Sequence, residues 1–385
     1  MIYILGAGIS GTLTALALAS HGIATVVLDR KTEFELEHPN DPRTTALTRI
    51  SKNFLINIGV WEEFKHFSQN ICDIFVCQNM ANNILHMKED EIELGLMIEN
   101  NNFRKKLFEI AKKENLIKFH YNTYYENLEL LENKVKFSYK KDGKDIKVEP
   151  ELCIVADGRF SNARKEFFTN YFEKDYNQKA IVFNIKHSKN HEGGAIEHFL
   201  YRGSFATLPL KGGYSSSIVW VEDTKVAEFL LTQKNKDLEK LILQFIGGAL
   251  GDIEITTRPE AFPLSAFVTQ KYYKGNLVLI ADSAHVVHPL AGQGLNMGIQ
   301  DIIYLTDQIA KNLNLGFTLD EVMLKKYEKV RKIDNMLMLR ITDSINTIFT
   351  HRFRPLNRAT ELGLSIVNAI TPVKNFLVDY AKGRN

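Results

Sequence analysis

The sequence predicts a mixed α/β protein in which a Rossmann-like β-α-β domain is combined with an inserted antiparallel sheet and with C-terminal helices. Three observations predict this fold class. A glycine-rich segment separates an apolar strand from a small-residue helix near residue 10, four alternating strand patterns punctuated by glycines fill residues 179–221, and the chain is helix-like beyond about residue 290.

The β-α-β unit comes first. Strand patterns at Ile2–Leu5 and Thr25–Leu28 flank a helix pattern at Ile9–Ser20, and the motif Gly6-Ala7-Gly8-Ile9-Ser10-Gly11 joins strand to helix. Gly6 permits a tight turn, Gly8 lets a pyrophosphate approach the backbone, and Gly11 allows close packing. Asp29 follows Gly11 by 18 residues, where a carboxylate can accept hydrogen bonds from ribose hydroxyls. This unit predicts a dinucleotide site without distinguishing FAD from NAD.

The remaining elements follow in order. Helices are predicted at about residues 46–64 and 101–113. Strand-like runs such as residues 134–139, interrupted by Lys141-Asp142-Gly143, indicate a meander or a hairpin. The antiparallel strands are predicted at residues 180–186, 195–201, 205–210 and 215–221, and an apolar strand at residues 276–281. Aromatic side chains of this sheet are expected mainly in the core, with one or two lining a substrate pocket: Phe183, Phe199, Tyr201, Phe205, Tyr214 and Trp220.

Composition excludes several classes. The 385 residues carry 48 Lys+Arg and 46 Asp+Glu, so nothing suggests a nucleic-acid partner. The nearly apolar stretches are about ten residues long, as at 241–250, too short for a membrane span. Three cysteines without a C-x-x-C pair and the absence of a signal-peptide pattern favour the cytoplasm. His285 and His288 have no third ligand at a recognised spacing, so no metal site is expected.

Two further motifs belong with the glycine loop. Residues 153–164 form an apolar strand that runs into Asp157-Gly158 and a polar turn. Residues 279–301 form a strand ending at Asp282, then a proline- and glycine-containing loop, then a long helix. A helix N-terminus beside such a strand end can stabilise the negative charge of a reduced flavin.

Together the three segments resemble the fingerprints of the group A flavoprotein monooxygenases, the p-hydroxybenzoate hydroxylase fold, and most closely its ubiquinone-biosynthesis hydroxylases. The resemblance extends to Asp41–Leu47 and to Leu55, Ile58-Gly59-Val60-Trp61, and it reaches the C-terminal region through Tyr327, Arg331, Asp334-Asn335, Met338, Thr342-Asp343, Phe349, Arg358, Gly363-Leu364, Lys374 and Gly383. Two positions depart from the family pattern. Ala281 replaces the usual glycine, so its methyl either crowds the flavin phosphates or is tolerated, and Leu290 replaces isoleucine, a near-isosteric change.

The resemblance implies the activity. It implies an FAD-dependent monooxygenase with NAD(P)H as a transient co-substrate, which hydroxylates the aromatic ring of a polyprenylated phenol or quinone precursor in ubiquinone biosynthesis through a flavin C4a-hydroperoxide. Molecular oxygen and a small lipophilic aromatic molecule are then its substrates. The last 55 residues carry nine Lys+Arg and four Asp+Glu. This positive charge suggests that Arg352, Arg354 and Arg358 contact a ubiquinone-biosynthesis complex or the inner face of the membrane, where the protein would be peripheral. A solvated helix surface is the simpler interpretation.

The resemblance also implies the site. Arg43 and Arg104 are expected at FAD or its edge, Asp157 and Arg159 near the pyrophosphate, and residues 289–296 around the isoalloxazine ring. The predicted cofactor-binding residues are Gly6, Gly8, Ser10, Gly11, Asp29, Arg30, Arg43, Arg104, Asp157, Gly158, Asp282, Pro289, Gly292, Gly294, Leu295 and Asn296. The predicted catalytic group is Pro289, Gly292, Gln293 and Gly294.

The predicted domains are discontinuous. FAD-binding segments are expected at residues 1–68, 98–175 and 268–320, substrate-domain segments at 69–97 and 176–267, and a C-terminal helical region at 321–385. Three other functions stay open: a same-fold flavin reductase acting on prenyl double bonds, a non-catalytic flavin-binding scaffold, and, less favoured because Trp61 and Trp220 form no W-x-W motif, a flavin-dependent halogenase.

Overall fold

The computed structural model describes residues 1–350 except 79–80, 89–92, 132–133, 201 and 290–291. Predictions that concern Leu290, Tyr201, Arg352, Arg354, Arg358 and the family-like residues from 358 onward therefore lie outside the described residues. Within the described residues the helices are α1 (Ile9–Ser20), α2 (Glu33–Glu37), α3 (Arg49–Asn57), α4 (Asn100–Lys113), α5 (Asn162–Phe167), α6 (Thr224–Leu230), α7 (Asn235–Ile246), α8 (Gly294–Asn314) and α9 (Glu321–Thr350).

The strands of the first half are β1 (Ile2–Leu5), β2 (Thr25–Leu28), β3 (Thr44–Leu47), β4 (Gln69–Ile71), β5 (Asp73–Gln78), β6 (Ala81–Lys88), β7 (Gly95–Glu99), β8 (Ile117–His120), β9 (Tyr125–Leu131), β10 (Lys134–Lys141), β11 (Lys144–Val148) and β12 (Leu152–Val155). The later strands are β13 (Tyr171–His187), β14 (Gly194–Leu200), β15 (Gly203–Pro209), β16 (Ser215–Asp223), β17 (Ile253–Ile255), β18 (Glu260–Thr269), β19 (Tyr273–Lys274), β20 (Leu277–Leu279) and β21 (His285–Val286).

A six-stranded sheet carries the β-α-β unit. Its order is β19-β20-β12-β1-β2-β8, and every pair except β19 with β20 is parallel. Strands β2, β12 and β20 are buried at every position, as continuous apolar runs in a parallel sheet should be. The carboxyl ends of β1, β2, β12 and β20 therefore meet at one edge, which is where ligands bind in such sheets. The predicted fold class and the β1-α1-β2 unit are confirmed.

The second large sheet is mostly antiparallel. It has the order β21-β18-β13-β16-β15-β14-β5-β6, with β17 also paired to β13. One face packs on α6 and α7 through a cluster that includes Phe183, Phe205 and Trp220, so these predicted aromatics belong to the core. The opposite face points towards the six-stranded sheet. Tyr214 is exposed.

One predicted element is wrong in part. The helix expected from residue 46 begins only at Arg49, because Thr44–Leu47 forms β3 and pairs with β7. Thr48 marks the change: its side-chain oxygen accepts a hydrogen bond from the Ser51 backbone N–H, at 3.4 Å, and so caps α3. The helix ends at Asn57, and a separate 3₁₀ turn covers Trp61–Glu63.

The C-terminal part that the structure describes is helical, as predicted. Helix α8 packs on α1 and α9. In the described part of the chain, none of the helices combines the length with the apolar character that a membrane crossing demands. The domain boundaries expected from the sequence stay a prediction.

Candidate functional site

One large cavity of about 1030 Å³ lies between the two large sheets. Most predicted site residues line it: Gly6, Gly8, Ser10, Asp29, Arg30, Arg43, Arg104, Asp157, Gly158, Asp282, Pro289, Gly292, Gln293, Gly294 and Leu295. Gly11 and Asn296 do not line it. The fold thus brings together residues that are nearly 300 positions apart in sequence.

The glycine loop forms one end of the cavity. Gly6 has a φ of +107°, a conformation that favours glycine, and a Cβ on Gly11 would lie 1.9 Å from the Gly6 carbonyl oxygen. A Cβ on Gly8, in contrast, would meet no described protein atom within 4 Å. Gly8 also caps α1 without a side-chain hydrogen bond, so the first N–H groups of the helix remain available to an anion. The loop therefore fits a pyrophosphate at Gly8.

Asp29 holds this loop in place. Its Oδ2 accepts a hydrogen bond from the Ala7 backbone N–H at 2.5 Å, and its Oδ1 accepts one from the Lys31 N–H at 2.8 Å. The carboxylate thereby ties the end of β2 to the glycine turn. Its predicted contact with ribose hydroxyls stays a prediction, and it would use the remaining lone pairs.

A stacked group lies beside Asp29. The Arg30 guanidinium is 3.7 Å from the centre of the Tyr124 ring, and the Tyr124 hydroxyl donates a hydrogen bond to Asp157 Oδ2 at 2.7 Å. Burial raises the pKa of Asp157, and hydrogen bonds from Ser161 and Tyr124 oppose the rise. Tyr124 is a cavity residue that the sequence analysis missed, because no motif includes it and only the fold brings it to Arg30.

Arg43 and Arg104 share one carboxylate. Asp41 accepts two hydrogen bonds from the Arg43 guanidinium, at 2.7 and 2.8 Å, and one from Arg104 at 3.4 Å. Burial acts to raise the pKa of Asp41, but Arg43 outweighs it and the pKa is lowered. Both arginines line the cavity, and Asp41 is the group that positions them; their predicted contact with FAD stays a prediction.

Asp282 faces the cavity at the carboxyl end of β20. Its carboxylate is exposed to the cavity and accepts no hydrogen bond from the described residues. Because the cavity lies between protein walls, the carboxylate is still largely desolvated; this raises the pKa of Asp282, and the positive charges of His285, Arg43 and Arg159 act against that rise. The surrounding turn is fixed through backbone oxygens: Arg164 donates to Asp282 O at 3.5 Å and Ser283 O at 3.2 Å. Asp282 is therefore a cavity-facing acid on a turn that hydrogen bonds from Arg164 hold, and its predicted role in cofactor binding stays a prediction.

Arg159 lies at the junction of the cavity with the antiparallel sheet. Its guanidinium donates to Pro263 O at 2.9 Å and to Ser265 Oγ at 2.5 Å. The predicted position near a pyrophosphate stays a prediction.

The loop before α8 forms the next wall. Gly292 has a φ of +62°, and its N–H donates to Pro289 O at 2.9 Å. Asn296 anchors this wall from behind: its Oδ1 accepts from the Thr48 N–H at 2.9 Å and from Ser51 Oγ at 2.7 Å, and its Nδ2 donates to Ala46 O at 2.8 Å. Asn296 thus joins α8 to β3 and α3 and positions the loop without lining the cavity.

Ala281 shows how the departure from the family pattern is accommodated. Ala281 has a φ of +51°, a region that glycine favours, and its methyl lies where a Cβ on Gly298 would come within 2.7 Å. Ala281 is only 3% exposed and packs against α8, where Gly298 leaves room for its methyl. Of the two alternatives, tolerance of the methyl fits this geometry.

A double-mutant cycle tests that packing. Gly298→Ala alone is expected to destabilise the protein by about 1–3 kcal/mol through overpacking, and Ala281→Gly alone to change stability by about 1 kcal/mol or less, because relief of the left-handed strain and greater freedom of the unfolded chain oppose each other. In the double variant the loss caused by Gly298→Ala should largely disappear. Urea unfolding of the four proteins measures the coupling; strict additivity would contradict the contact.

The wall opposite the glycine loop belongs to the antiparallel sheet. Its lining side chains are predominantly apolar: Ile74, Val76, Ala180, Val182, Ala195, Phe199, Ala206, Leu208, Val219 and Val221. Of the five predicted aromatic residues that the structure describes, Phe199 is the one that lines the cavity. Glu197 lies in the same wall and was missed, although the alternation of Ala195, Glu197 and Phe199 along one strand places an acid on an apolar face.

Known proteins resemble this chain over nearly its whole length. The profile of the family described as "FAD binding domain" matches residues 1–340. Ubiquinone hydroxylase UbiL of Rhodospirillum rubrum is 30% identical over 390 residues, which cover 99% of this chain and 89% of that protein. The 3-demethoxyubiquinol 3-hydroxylase of Escherichia coli is 26% identical over 99% of this chain and 98% of its own.

Solved structures agree on the fold. The p-nitrophenol 4-monooxygenase PnpA of Pseudomonas putida superimposes with a TM-score of 0.81 over 100% of this chain and 98% of its own, at 16% sequence identity. This chain therefore has the fold of that monooxygenase over its whole length.

Proposed function

The chain belongs to the FAD binding domain family and is an FAD-dependent monooxygenase; from that premise we propose that it hydroxylates the aromatic ring of a polyprenylated phenol or quinone precursor of ubiquinone, with NAD(P)H as the reductant. One observation carries the proposal. A single cavity joins the glycine loop, where the space beside Gly8 is open, to an apolar sheet face that presents Val182, Ala206 and Val219.

Different residues of the cavity would bind the cofactor and the substrate. FAD, when bound, supplies the hydride acceptance and oxygen activation that amino-acid side chains lack. The loop at Gly8 and the N-terminus of α1 would hold its pyrophosphate, Asp29 its ribose side, and Asp282 its hydroxyl-bearing linker. The N-terminus of α8, which has no side-chain cap among the described residues, would face the ring system.

The apolar wall supports a lipophilic aromatic substrate. A dry, apolar surface excludes water from the reacting centre and favours burial of a ring and the first part of a prenyl tail. The relatives named as ubiquinone hydroxylases cover nearly the whole chain, which favours this substrate class over other aromatics.

The direct test starts with the absorbance spectrum of the purified protein. NAD(P)H oxidation and oxygen uptake are then measured with and without a phenol that carries a geranyl tail, and the hydroxylated product is quantified. Product-coupled oxygen uptake supports the proposal. Flavin reduction with saturation of a prenyl double bond and no oxygen uptake would support a reductase instead, and complementation by a flavin-free variant would support a scaffold.

Asp282→Ala provides a site-specific prediction. Because the carboxylate accepts no hydrogen bond from the described protein and desolvation raises its pKa, its removal is expected to leave the free energy of unfolding of the apoprotein unchanged or slightly higher at neutral pH. FAD affinity should fall about 10- to 100-fold, the value of one hydrogen bond to a charged group. Flavin fluorescence titration and apoprotein unfolding measure the two effects. Asp307→Ala, on the exposed side of α8, is the matched control; equal FAD affinity in both variants would contradict the assignment.

A further inference from the structure

Glu197 lies in the middle of an apolar wall. On β14 it pairs with Ala206 of β15 on one side and with Val76 of β5 on the other. Since side chains alternate along a strand, Glu197 shares its face with Ala195 and Phe199, and all of these residues line the cavity. A carboxyl group is costly in such surroundings unless it has a partner.

Glu197 differs in charge from the other described residues that this sheet contributes to the cavity. Among the described residues that the nine-stranded sheet contributes to the lining, Glu197 is the one with an ionisable side chain. The polar neighbour on the same wall is Ser204, whose side chain hydrogen-bonds to Glu197. The sheet thus presents the Ser204 hydroxyl beside Glu197, and a second lining hydroxyl, Ser265 on β18, accepts a hydrogen bond from Arg159.

The position relative to the proposed flavin site follows from the strand register. Leu208 and Ser217 pair across β15 and β16, and Ser217 Oγ is 3.1 Å from Thr44 Oγ1 on β3. Ala46, two residues along β3, packs against the same hydrophobic cluster as Leu208, and a Cβ on Gly292 would lie 3.5 Å from the Ala46 Cβ. Ala206, the pairing partner of Glu197, is two residues from Leu208, or about 7 Å along the strand. Glu197 and Gly292 line the same cavity from different elements, β14 and the loop before α8.

The electrostatics of the site suit proton transfer. Burial raises the pKa of Glu197 to about 7, and the hydrogen bond with Ser204 opposes the rise. The neighbouring strands present Val76, Ala206 and Ser204, and α9 contributes Ile345 to the same cavity, so no charged group of the described residues alters this pKa. A base with a pKa near 7 is best matched to a proton exchange at neutral pH.

We propose that Glu197 is the catalytic residue that binds the ring hydroxyl of a phenolic substrate and accepts its proton. The O–H bond of the phenol breaks, its electron pair remains on the oxygen, and the Glu197 carboxylate becomes a carboxylic acid. The negative charge of the phenolate raises the electron density at the ring carbons ortho and para to the oxygen, and this favours electrophilic hydroxylation there. When the ring becomes aromatic again, the C–H bond at the hydroxylated carbon breaks, its electron pair returns to the ring and its proton leaves to water. The Glu197 carboxylic acid then returns its own proton to the phenolic oxygen. This inference rests on the proposed hydroxylation.

The first experiment measures coupled turnover of the holoenzyme against pH. In the native protein kcat should fall as the pH is lowered through about 7, because the carboxylate becomes protonated. Glu197→Gln should lower kcat about 10²- to 10⁴-fold and abolish this pH dependence, whereas Glu197→Asp should keep the pH dependence with a smaller loss. Glu222→Gln is the matched control, because Glu222 is a partly buried carboxyl on the same sheet that hydrogen-bonds Trp220 and does not line the cavity.

A binding experiment separates this inference from the proposed function. Changes in the spectrum of bound FAD report the affinity for 2-geranylphenol and for its methyl ether, which has no proton to donate. The native holoenzyme should prefer the phenol by about 10-fold or more, and Glu197→Gln should lose that preference while still binding FAD. This comparison holds even if the native protein hydroxylates neither compound. A preserved preference, or coupled turnover by Glu197→Gln at the native rate, would overturn the role of Glu197.

Discussion

Replacement of Asp301 by alanine is expected to lower the free energy of unfolding by about 3–5 kcal/mol, the cost of leaving buried charges without their partner. Asp301 is fully buried on α8. Its Oδ1 accepts from Arg331 Nε at 2.9 Å, and its Oδ2 accepts from His285 Nε2 at 2.5 Å and from the Ala281 backbone N–H at 2.9 Å. The variant should also retain less FAD, because the Ala281 bond fixes the turn that carries Asp282.

The matched control uses the same arginine. Asp334 accepts from Arg331 Nη1 at 2.6 Å, but its side chain is 47% exposed, so Asp334→Ala should cost about 1 kcal/mol or less. Urea unfolding of both variants, together with FAD retained after gel filtration, measures the difference. Similar losses in the two variants would show that the buried network contributes no more than a surface ion pair.

The same hydrogen-bond network predicts that the protein loses stability at acid pH. Burial acts to raise the pKa of Asp301, but His285 and Arg331 outweigh it and hold the pKa at about 2, below the ordinary 3.8. Since the folded-state pKa is lowered, the stabilisation is fully present above about pH 4 and is lost as the pH falls towards 2. The stability gap between the native protein and Asp301→Ala should narrow over that interval.

The elements that were predicted correctly are those whose structure depends on interactions between residues close together in the sequence. The β1-α1-β2 unit follows from a continuous apolar strand, a small-residue helix and glycines whose conformations the turn requires. The error at residues 46–48 has the opposite cause. Ala46 and Leu47 continue the apolar spacing of the following helix, but their pairing with Met97 and Leu96 depends on a strand about 50 residues away.

The site shows the same contrast. Gly8, Asp282 and Gly292 stand in motifs whose chemistry can be inferred from neighbouring residues, and they line one cavity. Tyr124 and Glu197 stand in no motif. Their roles arise from contacts between distant segments, such as the pairing of β14 with β5, whose strands are more than 100 residues apart in sequence. Strand alternation could have indicated Glu197, because an acid on an apolar face calls for a partner.

Gly11 and Gly8 are glycine for different physical reasons, so substitutions at the two positions should have different effects. A Cβ on Gly11 would meet the Gly6 carbonyl oxygen at 1.9 Å, and a backbone atom cannot move aside as a flexible side chain can. Gly11→Ala is therefore expected to destabilise the apoprotein by about 1–3 kcal/mol or more and to abolish stable FAD binding, because the turn that receives the pyrophosphate is displaced.

Gly8→Ala is expected to act on the cofactor alone. Gly8 has a φ of −68°, which alanine adopts readily, and its Cβ would enter the open cavity. Apoprotein stability should therefore remain within about 0.5 kcal/mol of the native value, while FAD affinity falls about 10- to 100-fold as the methyl keeps the pyrophosphate from the backbone N–H groups. Apoprotein unfolding and flavin titration of both variants decide the matter. Native FAD affinity in Gly8→Ala would place the pyrophosphate elsewhere in the cavity, and that result would also remove the assignment of Asp29 to the ribose, since both depend on the same orientation of the cofactor.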